Sequence, residues 1–138
     1  MIEIESRELA DIPVLHAYPV GQKDTPLPCA IFYHGFTSSS LVYSYFAVAL
    51  AQAGLRVIMP DAPDHGSRFS GDAARRLNQF WQILLQSMQE FTTLRAAIAE
   101  ENWLLDDRLA VGGASMGAMT ALGITARHPT VRCTASMM

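Results

Sequence analysis

The residues with the clearest chemical potential are Gly113-Ala114-Ser115-Met116-Gly117, a G-x-S-x-G pentapeptide. A serine can serve as an acyl-transfer nucleophile when its hydroxyl stands clear of the backbone on a sharp strand-to-helix turn. Such a turn strains the serine backbone and brings the residues two before and two after it too close for side chains, hence glycine at both. The following helix directs its free N–H groups at the reacting carbonyl oxygen. With glycine and serine each near 7% of residues, the pattern arises by chance in roughly one chain in twenty-five of this length, so context must support it. Leu109–Gly112 reads as a buried strand before it, and Met116–His128 as a helix after it, closed by Pro129. A second group, His34-Gly35-Phe36, follows another apolar run. A developing oxyanion needs two backbone N–H donors, and Met116 and Phe36 are the candidates, with Gly35 allowing close approach. A dinucleotide fingerprint fails because Ala114 stands where glycine is required and no acid follows Met116. A phosphate-binding loop fails because the sole lysine is Lys23.

The elements that must position these residues follow from periodicity. Ile2–Leu9 and Ile12–Val20 read as an antiparallel hairpin. From Cys29 onward, short continuous apolar runs alternate with helices: strand Cys29–Tyr33, helix Leu41–Ala53 stopped by Gly54, strand Leu55–Met59, then a loop from Pro60 to Asp72. Apolar residues at steps of three and four from Leu77 to Ile98 predict one long amphipathic helix, with Phe80, Trp81 and Phe91 in the core and Asp106-Asp107 as its exit turn. Strand, elbow, helix and a last apolar run from Val131 complete an α/β pattern, a parallel sheet with helices on both faces after the opening hairpin. Asp61-Ala62-Pro63-Asp64-His65 reads as a loop stitched by side-chain-to-backbone hydrogen bonds. A metal site there lacks a usual ligand set, and a rearranged triad using His65 with Asp61 or Asp64 is the remaining alternative. His16 is expected at a surface or strand edge, and His128 at a helix C-terminus.

Composition narrows the function classes. The 138 residues are half apolar and 17% charged, enough to bury a core, and the net charge of −3 gives no footprint for nucleic acid or an anionic membrane. No apolar run reaches bilayer length and no secretory signal is visible, so a cytoplasmic protein is expected, with Cys29 and Cys133 as buried free thiols.

His34-Gly35-Phe36, Asp61 with His65-Gly66-Ser67, and Gly113 through Gly117, in this order, resemble the α/β-hydrolase superfamily, and more narrowly bacterial carboxylesterases related to dienelactone hydrolases and prolyl-oligopeptidase-type enzymes. The resemblance covers the whole chain. It implies cofactor-free hydrolysis of small, short-chain carboxylic esters through an acyl-enzyme on Ser115, with no metal. A serine peptidase, or an α/β module using the elbow only for packing, are the alternatives. The family places its triad acid and histidine after the serine. Here the last carboxylate is Asp107 and the only later histidine is His128. Residues 1–138 are therefore expected to be an incomplete domain, inactive alone and poorly soluble through an exposed last strand that reaches Met138.

Overall fold

The computed structural model describes residues 1–137, so Met138 lies outside it. One six-stranded sheet has the order β1-β2-β4-β3-β5-β6, where β1 is Ile2–Leu9, β2 Ile12–Pro19, β3 Leu27–Tyr33, β4 Arg56–Pro60, β5 Leu104–Ala114 and β6 Cys133–Met137. The expected hairpin is present, with Ile2 opposite Pro19 and Leu9 opposite Ile12. β2 also pairs antiparallel with β4, while the pairings of β4 with β3, β3 with β5 and β5 with β6 are all parallel. The sheet is thus mixed, parallel where the candidate site lies.

Alternation along β3 sends its side chains to two separate cores. Cys29, Ile31 and Tyr33 meet Phe91, Leu94 and Ile98 of helix α3 (Phe80–Glu100) and Ala121 and Ile124 of helix α4 (Met116–Arg127). Phe32 faces the other way, onto Ala47 and Ala51 of helix α1 (Ser44–Gln52). On that second face an apolar groove of about 340 Å³ opens between Phe32, Phe46, Leu50, Ala110 and Met137. None of the described helices is long and apolar enough to cross a membrane.

Several expectations need correction. The first helix begins at Ser44 rather than Leu41, because residues 40–43 form successive tight turns, Tyr43 N–H to Ser40 O and Ser44 N–H to Leu41 O. Gly54 stops it as expected, at φ 95°. The long helix is two: α2 (Ala73–Leu77), capped by the Asp72 carboxylate accepting from Arg75 N–H at 3.0 Å, and then α3. Asn78 N–H closes on Arg75 O, ending α2, and Leu77 is exposed, so no burial holds the two in line. Trp81 is also exposed, whereas Phe91 is fully buried. The stripe that α3 buries is Ile83, Leu84, Phe91, Leu94 and Ile98, and Trp81 lies off it. The exit from α3 is at Glu101-Asn102, not at Asp106-Asp107. Those two aspartates, at φ 49° and 55°, bulge out of the ladder between β3 and β5, where Leu27 pairs with Leu104 but Cys29 with Leu109. Cys29 is buried as expected, but Cys133 is exposed because β6 is the outermost strand.

His16 is the largest departure. It is fully buried rather than at an edge, because β2 is covered on both sides by β1 and β4. Its Nδ1 donates to Glu5 Oε2 at 2.7 Å and its Nε2 accepts from Arg56 Nη1 at 2.8 Å. Burial, reinforced by the Arg56 charge and partly opposed by Glu5, pushes its pKa down to about 4, so the ring is neutral at pH 7.

Candidate active site

Gly113–Gly117 forms the sharp junction between β5 and α4. Ser115 sits at φ 57°, ψ −115°, between buried Ala114 at the end of β5 and buried Met116 at the start of α4, and is itself exposed. A non-glycine residue in this left-handed region is strained and persists only where its surroundings fix it. The Ser115 N–H donates to Met137 O of β6 at 2.7 Å, and its carbonyl accepts the first α4 hydrogen bond, from Met119 N–H at 3.2 Å. Both flanking glycines are required by contact. A Cβ on Gly113 would overlap the Gly117 carbonyl, and a Cβ on Gly117 would overlap the carbonyl of Tyr33 on β3. These are backbone atoms with nowhere to move, so α4 packs on the sheet only with glycine at both positions.

The loop after β3 lies directly beside the serine. A Cβ on Gly35 would stand 3.6 Å from Ser115 Cβ and 3.5 Å from Ala114 O. Phe36 follows Gly35 at this edge, and Met116 follows Ser115, so the two candidate N–H donors belong to the two loops that meet there. Ser115, Gly35, Phe36, Met116, Gly113 and Gly117 are thus brought together at the carboxyl ends of β3 and β5, where open α/β sheets bind ligands.

The histidines of this region hold the loops rather than offering a base. His34 donates from Nδ1 to Gly35 O at 2.8 Å and accepts the Ala62 N–H on Nε2 at 3.0 Å. His65 donates from Nδ1 to Pro63 O at 2.9 Å and accepts the Thr37 N–H on Nε2 at 2.8 Å. These reciprocal bonds, which fix one neutral tautomer for each ring, clamp the loop after β3 to the loop after β4. Asp61 completes the clamp: Oδ1 accepts from Ser40 N–H, and Oδ2 from the N–H and hydroxyl of Ser67. Gly66, at φ 54°, lies so close to this carboxylate that a Cβ would collide with it. The stitched-loop reading therefore describes this segment, and a rearranged triad through His65 does not, since both of its ring nitrogens are engaged. The sequence left the role of His34 unread; its signal was a histidine placed between a buried strand and a glycine. His128 is the C-cap of α4, its ring 4.9 Å from that of Phe91.

Burial lowers the pKa of both His34 and His65, as it does that of His16. The unfolded chain, with imidazoles near 6.5, binds more protons than the folded one across the interval below that value. Stability is therefore full above about pH 7 and falls on acidification. His16 by itself removes about 1.4 kcal/mol per pH unit between about 6 and its folded pKa. Melting temperatures measured from pH 7.5 to 5 are expected to fall steadily, and His16→Phe to flatten part of that slope; a pH-independent melting point would contradict the neutral assignment.

Comparison with known proteins agrees with this geometry. The profile of the Hydrolase_4 family, described as serine aminopeptidase, S33, matches residues 25–137. The chain is 99% identical over its 138 residues to Esterase YjfP of Escherichia coli (strain K12), of which it covers 55%. Among solved structures it superposes on a cold-adapted esterase from an Arctic intertidal metagenomic library with TM-score 0.72 at 22% identity, covering 98% of this chain and 59% of that one. It also superposes on the dienelactone hydrolase-like promiscuous phosphotriesterase P91 from metagenomic libraries, with TM-score 0.75 at 14% identity, covering 99% and 58%. The chain spans about half the length of the curated relatives it matches. A strained serine between two obligatory glycines, a mixed sheet of hydrolase topology and a profile match over most of the chain lead to one assignment: this chain belongs to the Hydrolase_4 family of α/β hydrolases.

Proposed function

We propose that the protein is a serine carboxylesterase in which Ser115 forms an acyl-enzyme with short-chain carboxylic esters. The observation that carries this reading is the exposed Ser115 in its left-handed elbow with the Gly35 loop packed against it. Ser115 Oγ attacks the ester carbonyl carbon while a general base takes its proton. The N–H groups of Phe36 and Met116 receive the negative oxygen, and collapse expels the alcohol with that proton. Water then releases the acid by the reverse sequence. Base and acid come from the part of the relatives' length that this chain does not span, since both ring nitrogens of His34 and of His65 are engaged and leave no free imidazole beside Ser115 among the described residues. The 138 residues by themselves are therefore inactive.

A fluorophosphonate probe tests the nucleophile. Incubated with the protein at its relatives' full length, it is expected to label Ser115 alone and to leave Ser115→Ala unlabelled; modification of another serine would overturn the assignment. The family description favours one second reading, a serine aminopeptidase. Parallel assays on aryl esters and aminoacyl anilides separate the two, with ester cleavage expected to dominate.

A further inference from the structure

Trp81 is 62% exposed and lies off the stripe that α3 buries. Its position in the topology gives it a role. The loops after β3, β5 and β4 all leave the same carboxyl edge of the sheet: the first carries Phe36, the second Ser115, and the third leads through α2 to the first residues of α3, Phe80 and Trp81. The three loops are joined by side-chain contact. The Phe36 ring meets the Phe80 ring edge-on at 5.0 Å, and Phe80 meets Trp81 in the same way at 5.0 Å and 89°. Phe36 and Phe80 also pack against the cluster of Ala62, Ile83, Leu84 and Met116. A continuous aromatic row thus runs from the side chains of both oxyanion-donor residues out to a solvent-exposed indole. Within the described residues the Trp81 indole makes no hydrogen bond, and its exposed ring stands at the start of α3, on the carboxyl side of the sheet that also carries Ser115.

We propose that Phe80 and Trp81 form an aromatic shelf that receives an apolar group of the ester, its acyl chain or its alcohol, beside Ser115. This rests on the reading of Ser115 as the nucleophile and adds to it the residues that set chain-length preference. Phe80 braces Phe36 and Trp81, and the Trp81 face lies along the outer methylenes of the substrate. A large, rigid aromatic face suits this, because it removes alkyl surface from water with little side-chain entropy to lose.

The test compares wild type, Trp81→Ala and Ser115→Ala in the protein at its relatives' full length. One arm varies the acyl chain of p-nitrophenyl esters from acetate to hexanoate, and the other varies the alcohol of acetate esters from ethyl to hexyl. Because Trp81 is exposed, the Trp81→Ala melting temperature is expected to stay within a degree or two of wild type. The ratio of kcat/KM for the longest to the shortest substrate is expected to fall about tenfold in one arm, and which arm responds identifies the group on the shelf. An unchanged ratio in both arms, with Ser115-dependent hydrolysis intact, overturns the shelf; a change in oligomeric state without a change in ratio would do the same and assign the patch to a protein contact. Hydrolysis that survives Ser115→Ala would instead overturn the nucleophile reading on which the shelf depends.

Discussion

Replacing Ser115 with alanine is expected to lower ester hydrolysis by about 10⁴ to 10⁶ in the protein at its relatives' full length, and to change nothing in the 138-residue chain. The contrast follows from the way nucleophile and base act as a unit: without the base, the serine hydroxyl is too weak an attacker for its removal to register. Every described histidine is accounted for. His16 is held between Glu5 and Arg56, and His34 and His65 each have both ring nitrogens bonded to the loops. His128 caps the far end of α4, roughly 18 Å of helix from Ser115. Steady-state rates on p-nitrophenyl butyrate for both lengths and both variants, with folding checked by circular dichroism, make the comparison. A Ser115-dependent rate in the 138-residue chain would show that a base lies within it.

Arg56→Ala is expected to cost about 3 to 5 kcal/mol, a loss as large as truncating a fully buried aromatic side chain. Arg56 begins β4, is completely buried, and spends its guanidinium on four partners: His16 Nε2 at 2.8 Å, Thr25 O at 2.6 Å, Gln22 O at 3.3 Å and Trp103 O at 3.4 Å. It also stacks over the Trp103 ring at 4.8 Å, which in turn stacks on His16. Alanine would leave a cavity and strand each of those acceptors, including one nitrogen of a buried neutral imidazole. Arg56→Lys keeps the charge but not the planar fork, so an intermediate loss is expected. Against a total stability of about 5 to 15 kcal/mol, urea denaturation would show the alanine variant near unfolding; an unchanged midpoint would mean the cluster contributes nothing net.

The sequence by itself determined the class of fold and the elbow, because both rest on local rules. Short apolar runs alternating with helical periods permit little besides a parallel sheet, and glycines two residues either side of Ser115 report a close approach that no other residue survives. What it could not reveal are the places where a residue's neighbours come from far along the chain. His16 reads as an edge residue because alternation in β1 and β2 describes a hairpin, and nothing local says that β4 will close over it with an arginine forty residues away. Trp81 reads as core because steps of three and four link it to Leu84 and Leu85, but the stripe that α3 buries runs through Ile83, Leu84, Phe91, Leu94 and Ile98, and Trp81 lies about 100° round the helix from its centre, so the indole faces out. His34, His65 and Asp61 belong to separate loops whose meeting depends on β3 and β4 lying side by side. Periodicity records which face of an element is buried; only the packing of elements decides what it is buried against, and the site's electrostatics and its aromatic rim come from that second step.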